Sequence, residues 1–306
     1  MNNIVPDKIA PEENGAAAAK PLKTPLRLSP EIRAFIRNPA GMCGLLLLLT
    51  VFLMAACASL IYPGDPLDMV AQPFLWPGED AQFPLGTDSL GRNVVAGIVH
   101  GSQVSLQIGF SAVIVSLLIG TLVGALAGYF GGRIDDVLVH ITELFQTFPT
   151  FLLVVVLVAI GSPSVGLISV AIGIASWPTI ARLVRSEFRS LRESDFVMAA
   201  RSQGFSSLRI IFQEMLPNAL PSIIVTTSVM VASAILIESA LSFLGFGDPN
   251  RVSWGSMIGA GRESLRTEWF LTVLPGTVLV LTVLSLNLVG DALNDALNPR
   301  LRGRDV

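Results

Sequence analysis

Lysine is confined to the start of this chain, and histidine is nearly absent. The 306 residues contain lysine only at Lys8, Lys20 and Lys23, and histidine only at His100 and His140. A phosphate-binding loop of the pattern G-x-x-x-x-G-K-[ST] is therefore excluded. Neither histidine lies near a cysteine or carboxylate cluster, so the sequence predicts neither a metal site nor a catalytic triad. We expect no catalytic residue and no cofactor in this chain.

Cysteine is almost as scarce. Cys43 and Cys57 fall in one predicted helix, where the rise of about 1.5 Å per residue places them roughly 21 Å apart. A disulfide between them is excluded because bridged Cα atoms lie within about 7 Å. We interpret both as apolar filler.

Charged residues are also few, and apolar residues dominate. The chain is 52% hydrophobic and 14% charged, with a mean hydropathy of +0.66, which favours a membrane protein. Segments of about 17 to 25 apolar residues are long enough to cross a bilayer as helices. The sequence predicts an all-α polytopic fold with about six transmembrane helices, at 41–61, 104–129, 137–160, 165–181, 219–243 and 269–289.

The basic residues are sorted between alternate sides of these spans. One side carries Lys8, Lys20, Lys23, Arg27, Arg33, Arg37, Arg133, Arg182, Arg185, Arg189, Arg192, Arg201, Arg209, Arg300, Arg302 and Arg304. The other side carries Arg92, Arg251, Arg262 and Arg266. The positive-inside rule then predicts that both termini are cytoplasmic. Because the charges are sorted by side, the net charge of -3 does not indicate a partner.

The remaining regions follow from this topology. Residues 1–28 lack apolar surface to bury, and we expect a disordered cytoplasmic tail. Ser29, Pro30 and Glu31 have the cap, first-turn proline and acidic residue of an interfacial elbow helix, which leads into the first span to give a 29–61 unit. Residues 62–103 are expected to form an extracytoplasmic loop, 104–290 the transmembrane core and 291–306 a cytoplasmic tail.

The polar segment 195–217, DFVMAARSQGFSSLRIIFQEMLP, lies between apolar spans. A helix carrying Ala199 and Ala200 should stop at Gly204, because glycine readily adopts the left-handed conformation that ends a helix. A second helix should follow and end at Leu216 and Pro217. The small alanines would let another surface approach the backbone. From the residues alone, a docking elbow and an ordinary solvated loop are equally good interpretations.

Small residues recur at every fourth position in the second span, at Ala112, Ser116, Gly120, Gly124 and Gly128. Such a ridge lets two helix backbones pack closely. The pattern favours a packing seam, and a role in lining a pathway is the alternative.

Two acidic residues lie in or near hydrocarbon. Such residues usually face a cavity or a partner. Glu143 is close to the cytoplasmic edge and is expected to reach water. Glu238 is a possible pathway residue, and a structural hydrogen-bonding role is the alternative.

The predicted outer loop contains the string FPLGTDSLGRN at 83–93. Gly86 and Gly91 permit tight turns, and Asp88 is expected to cap a following helix. Thr87 and Arg92 complete the string.

These motifs together resemble a known family. Ala199, Ala200, Gly204, Phe205, Leu216 and Pro217 resemble the EAA loop, the ATPase-coupling element of binding-protein-dependent ABC importer permeases, with Met198 and Glu214 as departures. Gly86, Thr87, Asp88, Gly91 and Arg92 resemble an outer signature of the dipeptide, oligopeptide and nickel permeases, in which Asn93 replaces the usual Asp. ARLVRSE, SFLGFG and the terminal GDALNDALNPRLRGR also match, so the resemblance covers about 83–304.

The resemblance implies a type I permease fold in a bacterial inner membrane. It implies a homologous second permease, two cytoplasmic ATPases that bind ATP and magnesium, and an extracytoplasmic solute-binding protein. Membrane lipid is expected as a further contact and nucleic acid is not. Short peptides or peptide-like solutes are the implied cargo, and docking of the 185–217 region on an ATPase is the implied coupling. A secondary transporter is the alternative, although the sequence shows no inverted repeat.

Overall fold

A computed structural model describes residues 30 to 297 of the chain. The predicted disordered tail at 1–28, the cap at Ser29 and residues 298–306 lie outside this part. The regular secondary structure of the described residues is helical, without a named strand. The helix predicted before the first span is present as α1, Pro30–Arg37. The other α-helices are α2 Pro39–Ala56, α3 Ala58–Ile61, α4 Val94–Phe130, α5 Gly132–Thr147, α6 Thr150–Ile160, α7 Val165–Arg192, α8 Asp195–Ser202, α9 Ser207–Arg209, α10 Leu216–Phe243, α11 Trp254–Gly261 and α12 Phe270–Leu297.

The long helices form one packed bundle. α4 lies along α7, and α10 packs against both α4 and α12. α12 also packs against α2, where Gly44 leaves room for the backbone of Ser285. The core between these helices contains fully buried Ile168, Ile172 and Ile235. Burial of such side chains fixes the helices relative to one another.

The third predicted span is not one straight helix. α5 and α6 meet at a bend of 81° around Phe148 and Pro149. Proline disfavours the helical conformation at the residue before it, and Phe148 has the extended φ of -91° and ψ of 135°. Five described helices are therefore long and apolar enough to span a membrane, and six spans result if the bent pair counts as one. The prediction of a continuous helix over 137–160 was wrong.

Several helices extend beyond the predicted spans, among them α7, which runs to Arg192, α4 and α12. α4 begins at Val94, inside the predicted 62–103 loop, because the Asn93 side chain caps it by accepting a hydrogen bond from the amide of Val95 at 2.9 Å. Asp88 is therefore not the helix cap. α12 continues to Leu297, so the predicted tail at 291–306 is helical over its first residues.

The predicted helix stop at Leu216 and Pro217 was also wrong. A π-helical segment, Ile210–Met215, joins α9 to α10, and the amide of Leu216 donates to the carbonyl of Ile211. Pro217 then occupies the second position of α10, directly after the π-helical segment, and the helix continues past it. The segment 207–243 is thus one continuous helical segment of 37 residues, which is long and apolar enough to span a membrane.

Candidate functional site

The segment between α7 and α10 forms an elbow made of α8, a tight turn and α9. The turn has the hydrogen bonds of a Schellman motif, because the amide of Phe205 donates to the carbonyl of Ala200 at 3.1 Å and that of Gly204 to Arg201 at 3.0 Å. Gly204 has a φ of +78°, as the sequence predicted. The chain can therefore reverse here within a few residues.

The elbow is fixed to the ends of the long helices by an apolar cluster. Val197 and Ala200 of α8 pack in this cluster with Ile211, Met215 and Phe188. All but Ala200 and Ile211 are completely buried, and these two are 5% and 2% exposed. A displacement of α8 would therefore be transmitted to α7 and α10, because a close-packed core deforms little.

The two alanines of α8 differ in exposure. Ala200 contributes its methyl group to the apolar cluster of this chain, whereas Ala199 is exposed. The expectation that both alanines receive an external surface was therefore wrong for Ala200. Helical geometry explains the split, because adjacent residues on a helix are about 100° apart.

The elbow and the π-helical segment after it expose several large apolar side chains. We use the name elbow face for the exposed residues Phe196, Met198, Ala199, Leu208 and Phe212, of which Met198, Leu208 and Phe212 are 49%, 66% and 55% exposed. Two arginines stiffen the elbow by stacking on aromatic rings, Arg201 on Tyr129 at 5.2 Å and Arg209 on Phe205 at 3.9 Å. The sequence pattern places Leu208 and Phe212 at helical spacing but points to the small alanines as the docking surface, and it does not show that the larger side chains are exposed.

The small-residue ridge of α4 lies against α7. A Cβ placed on Gly120 would lie 2.7 Å from the carbonyl oxygen of Trp177, and one on Gly128 would lie 2.8 Å from that of Arg185. Ser116 belongs to the same seam, since its hydroxyl donates to the carbonyl of Gly173 at 3.0 Å. Ridge and partner helix thus meet backbone to backbone.

A paired charge ties α5 to the end of this seam that contains Arg185. The guanidinium of Arg185 donates from Nε and from a terminal nitrogen to the two carboxylate oxygens of Asp135, the second bond measuring 2.8 Å. Two parallel bonds of this kind fix orientation as well as distance. Gly131 and Gly132, both with positive φ, make the turn that brings Asp135 to Arg185.

The signature string at 83–93 packs against the preceding part of the chain, around residues 71–75. Gly86 and Gly91 have φ of +77° and +75°, and a side chain on either would collide with a carbonyl oxygen, of Leu75 and Ala71 respectively. Thr87 is completely buried, donating to the carbonyl of Gln72 at 2.6 Å and accepting from the amide of Leu75 at 3.0 Å.

Asp88 and Arg92 complete the signature loop in different ways. One carboxylate oxygen of Asp88 accepts from the amides of Leu90 at 2.8 Å and Arg92 at 2.9 Å, which closes the turn. The Arg92 side chain instead has a buried Nε without a hydrogen-bond partner among the described residues.

Glu238 is completely buried between helices. Its carboxylate accepts from the hydroxyl of Ser242 at 2.7 Å and from that of Ser105, on α4, at 3.3 Å. Ser105 also accepts from the amide of Trp254 at 3.4 Å. This arrangement joins α4, α10 and α11, and a side chain with no exposed surface does not touch a solute in this conformation. Its place in a pathway stays a prediction.

The described residues contain no group of three or more His, Cys, Asp or Glu side chains placed to hold a metal ion. Glu143 is exposed in this chain, and its contact with water stays a prediction. His100 binds the carbonyl of Tyr62 at 2.9 Å, and His140 binds that of Asp136 at 2.7 Å.

Comparison with protein families decides the class of this chain. Residues 120–303, more than half of the chain, match the model of the binding-protein-dependent transport system inner membrane component. The chain belongs to this family. Residues 30–84 match the N-terminal TM domain of oligopeptide transport permease C.

Individual relatives agree over almost the whole length. The chain is 36% identical to the di/tripeptide transport system permease protein DppC of Pseudomonas aeruginosa, over 94% of this chain and 97% of the relative. It is 37% identical to the oligopeptide transport system permease protein OppC of Escherichia coli, over 88% of this chain and 90% of the relative. The chain is therefore a multi-pass inner-membrane permease of an ABC importer, and the alternative of a secondary transporter was wrong.

Solved structures show the same fold. A chain of the MetNI methionine ABC transporter, described as inward facing, aligns with a TM-score of 0.55 at 19% identity, over 66% of this chain and 96% of that one. A chain of an amino acid ABC transporter aligns with a TM-score of 0.51 at 14% identity, over 65% and 94%. This likeness establishes the type I permease architecture.

Proposed function

We propose that this permease forms half of a translocation pathway for short peptides or peptide-like solutes. The support for peptides is the agreement of relatives that cover nearly the whole chain, which include di/tripeptide, dipeptide and oligopeptide permeases. The other half of the pathway is a homologous second permease, and an extracytoplasmic solute-binding protein delivers the peptide.

The elbow face is the surface that we assign to a cytoplasmic ATPase subunit. The observation that carries this assignment is an exposed apolar face on a rigid support: Met198, Leu208 and Phe212 point outward while Val197 and Ala200 lock α8 into the cluster below. Exposed apolar patches of this kind mark interaction sites. With the elbow in the cytoplasm, both termini are cytoplasmic as well.

In this proposal ATP and magnesium are bound by two partner ATPases, and the chain carries no nucleotide site of its own. When ATP draws the ATPases together, the bound elbow moves with them. Because the elbow and the ends of α7 and α10 share one close-packed cluster, a displacement of the elbow is transmitted to these two helices. The α4–α7 seam keeps these two helices together, so they shift as a unit.

Purification and uptake test this function together. Tagged protein isolated from its native membrane in mild detergent should carry two ATPase subunits and a second permease. The reconstituted complex with its binding protein should accumulate a radiolabelled dipeptide only when ATP is present. Dipeptide uptake that is absent, with nickel or another solute carried instead, would contradict the peptide assignment while leaving the permease class intact.

A further inference from the structure

A cleft opens on the predicted extracytoplasmic side, between the signature loop and the segment that follows α10. Its charged lining comes from Asp88 and Arg92 on the first element and from Asp248 and Arg251 on the second. Met257 contributes to its apolar lining, and the space measures about 180 Å³. The cleft is separate from the elbow and from the α4–α7 seam.

The two arginines of the cleft lack internal acceptors. Arg92 has a buried Nε without a partner, and neither Arg92 nor Arg251 makes an ion pair with a described residue. Buried nitrogen donors in native proteins are nearly always satisfied by protein or by water, so this unused donor is available to a partner from outside the chain. Arginine donors suit a carboxylate in particular, because their planar fork matches its two oxygens.

The two carboxylates of the cleft are already committed to the backbone. Asp88 accepts from the amides of Leu90 and Arg92. Asp248 accepts from the amide of Asn250 at 2.9 Å with one oxygen and from that of Val165 at 3.1 Å with the other. Both carboxylates shape the loops that form the walls, and the guanidinium groups are the cationic donors that the cleft offers to a partner.

The size of the cleft decides between a solute and a side chain. Sites that enclose small-molecule ligands typically measure about 300 to 1,000 Å³. A space of about 180 Å³ is below that range and fits the end of one side chain. We propose that this cleft anchors an acidic side chain of the extracytoplasmic solute-binding protein, held by Arg92 and Arg251. This inference rests on the proposed function, which supplies that partner.

Affinity measurements on the assembled complex test the anchor. The complete importer in nanodiscs is titrated with the purified solute-binding protein of the same system, and the dissociation constant is measured by biolayer interferometry. Arg92→Gln and Arg251→Gln should each weaken binding by about tenfold, mainly through faster dissociation, because a desolvated charge pair is lost. Arg266→Gln is the matched control, since Arg266 is exposed on the same predicted side but does not line the cleft, and it should leave the affinity unchanged.

Three outcomes would overturn the anchor. Wild-type affinity in both cleft variants would show that neither arginine contacts the binding protein. Unchanged affinity together with a loss of preference for a free dipeptide over its C-terminal amide in Arg92→Gln would assign the cleft to the carboxylate of the solute. A wild-type complex that does not bind the protein at all would refute the proposed function, and the anchor with it. Arg251→Gln guards against loop misfolding, because that side chain is exposed and has no described hydrogen bond or ion pair.

Discussion

Gly124 and Ala181 bring α4 and α7 into direct backbone contact. A Cβ placed on Gly124 would lie 2.5 Å from the carbonyl oxygen of Ala181 and 2.8 Å from the Cβ of Val184. Real Cβ atoms do not approach backbone oxygen so closely, so any larger side chain must push the two helices apart. The seam depends on the absence of a side chain at this position.

Gly124→Leu should therefore lower the yield of folded protein in detergent, with a cost of about 1 to 3 kcal/mol or more from overpacking. Any remaining uptake should fall to a similar extent for every solute. Gly276→Leu is the control, since a Cβ on Gly276 meets nothing within 4 Å in this chain. Fluorescence-detected size exclusion measures both yields. Normal assembly of Gly124→Leu with an altered solute spectrum would instead favour the pathway role.

Ala199 and Ala200 should respond differently to the same substitution. Ala200→Glu places a charge in the apolar cluster and should destabilise the elbow by several kcal/mol, which a thermal shift of the isolated chain detects. Ala199→Glu puts the charge on the surface and should leave the melting temperature within about 2 °C while weakening ATPase binding. Equal melting losses in both variants would contradict the inward and outward orientations described for α8.

Gly204→Val should impair coupling through the backbone rather than through contact. A φ of +78° is strained for a β-branched residue by about 1 to 2 kcal/mol, although space around the Cβ position is open. Gly204→Asn should retain most activity, because asparagine tolerates this conformation. The readout is ATPase activity stimulated by the loaded binding protein. Equal activity in the Val and Asn variants would show that the turn tolerates strain.

Thr87 should be required for its hydroxyl group and not for its shape. Thr87→Val keeps the volume but leaves the carbonyl of Gln72 and the amide of Leu75 without their partner, at a cost of about 1 to 3 kcal/mol. Thr87→Ser keeps the hydroxyl and should behave nearly as wild type. Limited proteolysis of the outer loop measures the difference, and resistance of Thr87→Val equal to that of wild type would refute it.

Labelling of single cysteines tests the orientation. In a background without Cys43 and Cys57, Ser89→Cys should react with an impermeant maleimide added to intact cells, and Ser202→Cys only after permeabilisation. Both positions are exposed, so accessibility of the side chain does not limit the reaction. Ser256 is a poorer reporter, because its hydroxyl belongs to the capping box of α11. The reverse labelling pattern would invert the topology.

The sequence by itself determined the class of this protein and the places where its motifs lie. The membrane class, the spans and the turn at Gly204 can be predicted from local chemistry, because hydrophobic length and backbone freedom are properties of the chain itself. The resemblance of the elbow and of the signature string to known permeases was also readable without coordinates. The family match confirmed that the chain belongs to this class of permease.

Only the tertiary structure decided which partner each of these residues has. Ala199 and Ala200 are identical side chains, and their different roles come from the cluster around Met215. Asn93, and not Asp88, caps α4. The helix does not end at Pro217, because the amide of Leu216 donates to the carbonyl of Ile211 and the chain continues from the π-helical segment into α10. The small residues of α4 pack against α7. Arg92, which lines the same cleft as Arg251, has a buried Nε without a hydrogen-bond partner among the described residues. Contacts between residues distant in sequence depend on how whole helices pack, which no local pattern specifies.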